Sequence, residues 1–134
     1  MMKLSDLTLI EFTARINVMN LALYANGEVN EDLKPSINEL IEALDLSEEG
    51  RFLCRKLMAR QQAELERDFH SALDQLFFSL EPVADWPKMA HRLQVIYMVL
   101  VEEKGELTES EITLAQELAE ILGLDADYYL DRTD

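Results

Sequence analysis

Glu102, Glu103, Glu106 and Glu111 form the densest carboxylate group in this sequence, and they straddle one glycine, Gly105. Carboxylate oxygens are ligands for hard cations, so Ca or Mg is the cofactor that these four side chains would take. The competing use is structural, because acids at the start of a helix meet its unpaired N–H groups and its dipole, which gives Glu109 and Glu111 work without any ligand. An EF-hand requires carboxylates at spaced positions around a glycine at loop position six. With Gly27 at that position, loop positions one, three and twelve are Ala22, Tyr24 and Leu33. With Gly105 there, positions one, three, five and twelve are Leu100, Glu102, Lys104 and Glu111. Neither loop reads as an EF-hand.

Other reactive residue types are sparse. His70 and His91 have no Glu-x-x-His or His-x-x-x-His spacing, and Cys54 has no CxxC partner, so no zinc motif is present. Arg51, Arg55 and Lys56 beside Cys54 would favour a thiolate, whereas burial next to Leu53 would make Cys54 a small core residue. Arg51, Arg55, Lys56 and Arg60 share one side of a helix, where they suit a phosphate, an acidic partner or the chain's own acids. No pair of nucleophile and base is specified by spacing, so the chain is expected not to be an enzyme. Phe77, Phe78 and Trp86 are core candidates, and any of them left in solvent would mark a partner surface.

The elements that position these residues read as helices. The 134-residue chain is 49% hydrophobic with four glycines and three prolines, a composition for one all-α domain with short connections, spanning 1–134. A Thr8–Glu11 capping box with a Leu7–Phe12 staple opens a first helix to about Ala25, with Ser5 as a competing cap. Its later part, Val18 to Ala25, is apolar on nearly every side and should be central. Gly27 ends it and Asn30 caps a helix over about 31–44, with Ile37, Leu40, Ile41 and Leu44 as its buried stripe. Ser47 opens a third helix with Phe52, Leu53, Leu57 and Met58 as apolar positions, continuing past a break near 62–68 to Leu80. Glu81 to Pro87 is a connector in which Asp85 can cap the next helix. Val95 to Val101 should be central in that helix, Thr108 with Glu111 forms a capping box for another, and a last turn from Asp125 to Leu130 folds a Tyr128, Tyr129 or Leu130 lid back. Six or seven helices follow.

The net charge of -15 is concentrated. Residues 28–49 hold eight acids and one base, and residues 102–134 hold eleven acids and two bases, whereas residues 50–101 contain seven of the twelve bases. Nucleic acid and anionic membrane both require neutralisation of phosphates, so neither is an expected partner. No apolar run approaches the roughly 20 residues of a membrane span, the N-terminus lacks a signal-peptide core, and a lone cysteine suits a reducing compartment. A cytoplasmic location is expected.

Eight residues recur at an offset of 78: Gly27, Glu28, Glu31, Glu39, Leu40, Glu42, Leu44 and Leu46 match Gly105, Glu106, Glu109, Glu117, Leu118, Glu120, Leu122 and Leu124. Repeat units of about 8–46 and 86–124 are therefore expected, related by a pseudo-two-fold axis, with 18–25 and 95–101 touching in the centre.

The motifs Asn26-Gly27-Glu28-Val29-Asn30-Glu31, Glu103-Lys104-Gly105-Glu106-Leu107-Thr108-Glu109-Ser110-Glu111 and Ile121-Leu122-Gly123-Leu124 give most of the chain a pattern that resembles the TerB-like tellurite-resistance family. That resemblance implies a compact all-helical domain with two central helices and an internal duplication, linked to stress responses and to suspected divalent-metal binding. The family places Asp before the turn glycine and Glu six residues after it. Here those positions are Asn26 and Leu33 in the first unit and Lys104 and Glu111 in the second. The expected function is a noncatalytic cytoplasmic helical protein that binds a protein partner, with weak divalent-metal binding near Gly105 as the alternative.

Overall fold

A computed structural model describes residues 9–130. All regular structure there is helical: α1 (Leu9–Leu23), α2 (Lys34–Ala43), α3 (Glu48–Arg67), α4 (Phe69–Leu80), α5 (Pro87–Glu102), α6 (Glu109–Ile121) and α7 (Ala126–Leu130), with 3-10 turns at Glu31–Leu33 and Glu81–Asp85. No strand occurs among the described residues. The expected Thr8–Glu11 box, the Leu7 half of its staple and the Ser5 cap lie outside the described residues.

Helix α1 is the axle of the fold. It packs against α3, α4 and, most extensively, α5, which explains why every residue from Ile16 to Ala25 is buried. A helix enclosed on several sides loses the usual division into wet and dry faces. Its buried polar residues are paired. Asn17 Nδ2 donates to Ser79 Oγ at 2.6 Å, Asn20 Nδ2 donates to Gln61 Oε1 at 2.8 Å, and the Tyr24 hydroxyl donates to Glu66 at 2.5 Å. Gln61 Nε2 donates to Asn17 Oδ1, and Gln62 Nε2 to Asn20 Oδ1 at 3.1 Å, which completes a polar ladder from α1 to α3. Positions 17, 20 and 24 lie on one helical stripe, so the ladder fixes the axial register of two helices whose other contacts are less specific.

Most punctuation falls where the sequence places it. The Asn30 side chain accepts from Asp32 N at 3.1 Å and Ser47 Oγ accepts from Gly50 N at 3.1 Å. Asp68, with φ -151 and ψ 87, separates α3 from α4 and caps the latter by accepting from Ser71 N at 3.3 Å. Gly27 and Gly105 have φ of 91 and 109, the left-handed conformation that ends α1 and α5. Asp45 and Gly123 are also left-handed, with φ of 49 and 73. These two residues are again 78 apart, a correspondence hidden in the sequence by the change of residue type.

Four expectations are corrected. Asp85 does not cap α5: Trp86 is the capping residue and makes no side-chain cap, while Pro87 at the first turn has no N–H to satisfy. Phe52 and Leu53 are exposed, Phe52 at 57%, because α3 directs Gly50, Cys54, Met58 and Leu65 inward. A step of two residues turns a helix by about 200°, so Phe52 must oppose Cys54. Val95 to Val101 is not wholly central: Leu93, Tyr97, Met98, Leu100 and Val101 are buried, but Val95 and Val99, four apart on one edge, face outward. In α2 only Ile37 is fully buried, with Leu40, Ile41 and Leu44 packed at the core margin.

Candidate functional site

The turn after α5 stays in solvent, with Glu103 to Glu106 exposed, but the acid that follows it on α6 is drawn into the protein. Glu111 is 2% exposed. One of its oxygens accepts from Lys104 Nζ and from Thr108 N, both at 2.8 Å, and the other accepts from Asn26 Nδ2 at 3.0 Å. Glu111 N in turn donates to Thr108 Oγ1 at 3.1 Å, which completes the expected capping box. Thr108 Oγ1 donates to Asn26 Oδ1 at 2.7 Å, so the two glycine turns are joined side chain to side chain. Burial opposes the charge on Glu111, but Lys104, the Thr108 amide and Asn26 outweigh it and hold the carboxyl below its ordinary value.

The four carboxylates expected to act together are not brought together. Glu111 is committed to Lys104 and Asn26, and Glu103 accepts a hydrogen bond from Ser36 Oγ on α2. Glu102 and Glu106 line an open cleft elsewhere on the turn. Among the described residues no group of three or more His, Cys, Asp or Glu side chains is placed to hold a metal ion. A Ca or Mg cage takes six or more converging oxygens, and the Lys104 ammonium already occupies the best-buried carboxylate, so the donor set does not fit.

Cys54 is fully buried, and that burial raises its thiol against the opposing pull of Arg55. Of the surrounding cations, Arg51 reaches Glu42 at 3.5 Å and Lys56 lies 5.6 Å from the centre of the Phe52 ring. Those bases therefore have contacts within the chain. Phe77 is buried, while Phe78 is 72% exposed and Trp86 is partly exposed.

The short helix α7 borders two concave surfaces. Asp125 Oδ1 accepts from Asp127 N at 3.0 Å, starting a turn that packs on both α5 and α6. Of the three lid candidates, Tyr129 is the one buried, with its hydroxyl 2.7 Å from His91 Nδ1 and its ring against that of Tyr128. Burial raises the Tyr129 hydroxyl above its ordinary value, and Tyr128 adds to the effect. On one side of α7 lies a cleft of about 420 Å³ lined by Val95, Val99 and Tyr128 among others, with Val99 56% and Tyr128 71% exposed. On the other lies one of about 700 Å³, with Leu107, Ile112 and Leu130 as its apolar lining and Glu106 and Asp127 among its acids. Glu102 lines both, so the clefts meet at the end of α5. An apolar surface edged by carboxylates can bind a partner by desolvating its apolar side chains and pairing its cations.

The sequence did not reveal this surface. Its residues come from α5, the turn before α6, and α7, and Val95 and Val99 are indistinguishable by type from their buried neighbours. The spacing of four between them was the available signal. No family model, curated protein or solved structure matches the chain. Among the described residues no helix is long and apolar enough to cross a membrane.

Proposed function

We propose that this chain is a noncatalytic cytoplasmic protein of the TerB-like kind that acts by binding a protein partner at the α5–α7 cleft. The observation that carries this reading is the exposure of Val95, Val99 and Tyr128 beside Glu102, which also lines the neighbouring cleft of Glu106 and Asp127. Solvent-exposed apolar residues grouped in a concave surface gain free energy when a partner covers them. The noncatalytic part of the reading is supported by the pairing or burial of the perturbed groups: Glu111, Tyr24 and Tyr129 are each tied to other side chains of the fold, Tyr97 to a backbone carbonyl, and Cys54 is fully buried. The TerB-like part is supported by the turn motifs and by left-handed residues at 27, 45, 105 and 123, which suit two copies of one helix-loop-helix unit.

The test is capture of a partner from a cell extract, its identification by mass spectrometry, and its recapture by two variants. Val99→Asn removes apolar surface from the cleft, and Phe78→Ser removes it from α4. Both sites are exposed, so the melting temperature should move little. Loss of the identified partner with Val99→Asn alone supports the cleft. Loss with Phe78→Ser alone, or with neither, overturns it.

A further inference from the structure

We infer that the occupant of the α5–α7 cleft is a basic amphipathic helix, an inference that rests on the binding role proposed for that surface. Three observations converge. The first is shape: His91, Val95, Val99 and Glu102 follow one another at spacings of four, four and three along the outer edge of α5. At 1.5 Å per residue this edge is about 16 Å long, the length over which a partner helix presents residues i, i+4, i+7 and i+11. Beyond Glu102 the neighbouring cleft offers a second apolar lining, Leu107 and Ile112.

The second is hydrogen bonding. A peptide that binds by strand addition needs the open edge of a sheet, and the described residues contain no strand. The cleft is walled by α5, α6, α7 and the turn before α6, none of which offers a sheet edge, so the recognition it offers is chiefly through side chains. A helix, with its own backbone already satisfied, loses nothing by entering it.

The third is charge. Glu106 and Asp127 have no ion-pair partner among the described residues, and Glu102 stands between the two clefts. The stretch 102–134 contains eleven acids and two bases. A second copy of this chain would bring the same acids against these, so self-association is opposed by like charge. Lysines or arginines on the partner are favoured, and they belong at one end of it. The apolar anchors meet Val95 and Val99, and the cations follow one to two turns later, beside Glu102, Glu106 and Asp127.

The probe is an amphipathic peptide of about 15 residues with leucines at i, i+4 and i+7 and lysines beyond them, titrated into the isotope-labelled full chain. The controls are a scrambled peptide of identical composition and one with glutamates for lysines. Amide shifts should cluster at 91–102 and 126–130, with affinity about tenfold weaker in Val99→Asn and about fivefold weaker in the Glu106→Gln, Asp127→Asn double variant. High salt should weaken binding to wild type more than to the double variant. Equal binding by either control peptide, shifts centred elsewhere, or no binding of the basic peptide overturns the inference. If the basic peptide fails while capture of the identified partner still depends on Val99, the binding role stands and only its helical basic occupant falls.

Discussion

Asn26 and Glu111, separated by 85 positions, are joined by a 3.0 Å hydrogen bond from the Asn26 amide to the Glu111 carboxylate. The same amide accepts from Thr108 Oγ1 at 2.7 Å, so both ends of one short side chain bind the opposite turn. Asn is suited to this position because it offers a donor and an acceptor at once. Asn26→Asp keeps the acceptor but replaces the donor with a second carboxylate beside Glu111. The variant should lose about 1–3 kcal/mol at pH 7, since a buried acceptor loses its donor and gains a like charge. Because protonation of either carboxyl removes the repulsion, the loss should shrink towards pH 4. Denaturant melts at the two pH values check both statements, and an undiminished melt at pH 7 would contradict the first.

Glu111 makes a second prediction about acid. Its folded-state carboxyl lies below the ordinary value of 4.5, so its contribution is complete above that pH and is lost as pH falls through the lower folded value. Glu111→Gln should cost about 2 kcal/mol at pH 7, where Lys104 loses its counter-ion, and less as pH falls through the lowered folded value, where the wild type surrenders the same charge. The two stability curves should therefore converge on the acid side. Added Ca or Mg should leave the wild-type melting temperature unchanged, because a ligand stabilises only by binding the native state and Lys104 already holds this carboxylate. Parallel pH curves would show that the Glu111 charge is not what stabilises the turn.

Local punctuation was readable in the sequence because it depends on a few adjacent residues. Ser47, Thr108 and Glu111 cap their helices as expected, Asn30 caps the 3-10 turn that leads into α2 rather than α2 itself, and Gly27 and Gly105 are left-handed. Facing was readable only where the surroundings are symmetric. The enclosed α1 tolerates no error of phase, whereas α3 and α5 each have one wet edge, and the apolar type of Phe52, Val95 or Val99 does not say which edge that is. Asp85 illustrates a competition between two rules, with Pro87 removing the N–H demand that a capping Asp would meet. The expected carboxylate group failed for a nonlocal reason. Asn26, 85 positions away from Glu111, contributes to a hydrogen-bonded knot that no reading of residues 102–111 alone contains.

The left-handed residues allow a comparison of backbone strain with packing. A Cβ at Gly27 or Gly105 meets nothing within 4 Å, so only the positive φ resists substitution. Gly27→Ala and Gly105→Ala should each cost about 1–2 kcal/mol, the penalty of placing an L residue in the left-handed region. At Gly123 the nearest atom to a new Cβ is Ala84 Cβ at 3.6 Å, an ordinary contact, so Gly123→Ala should cost a similar amount. Gly123→Asp should cost less than Gly123→Ala, since Asp tolerates this region better and Asp45 occupies it at the corresponding place. Chemical melts of the four variants check the order. A clearly larger loss at Gly27 than at Gly105 would mean that the first turn carries a constraint beyond φ.

Helices α5 and α6 are laced by two side chains of opposite quality. Tyr97 donates its hydroxyl to Glu111 O at 2.8 Å, and Gln94 donates Nε2 to Ala115 O at 3.2 Å. The donors are three apart on α5 and the acceptors four apart on α6, so each helix offers one stripe to the other. Gln94, however, is fully buried with its Oε1 unpaired among the described residues, whereas the Tyr97 bond leaves no buried side-chain oxygen orphaned there. Tyr97→Phe should therefore cost about 1 kcal/mol for the lost bond. Gln94→Met removes a comparable bond but also an unsatisfied acceptor at similar volume, so the two effects oppose and the change should stay within about 0.5 kcal/mol of wild type. Turning the Gln94 amide over is no alternative, because it would set Oε1 against the Ala115 carbonyl. If Gln94→Met costs as much as Tyr97→Phe or more, Oε1 has a partner such as a buried water, and a slowly exchanging water signal beside Ala115 should then be detectable in solution.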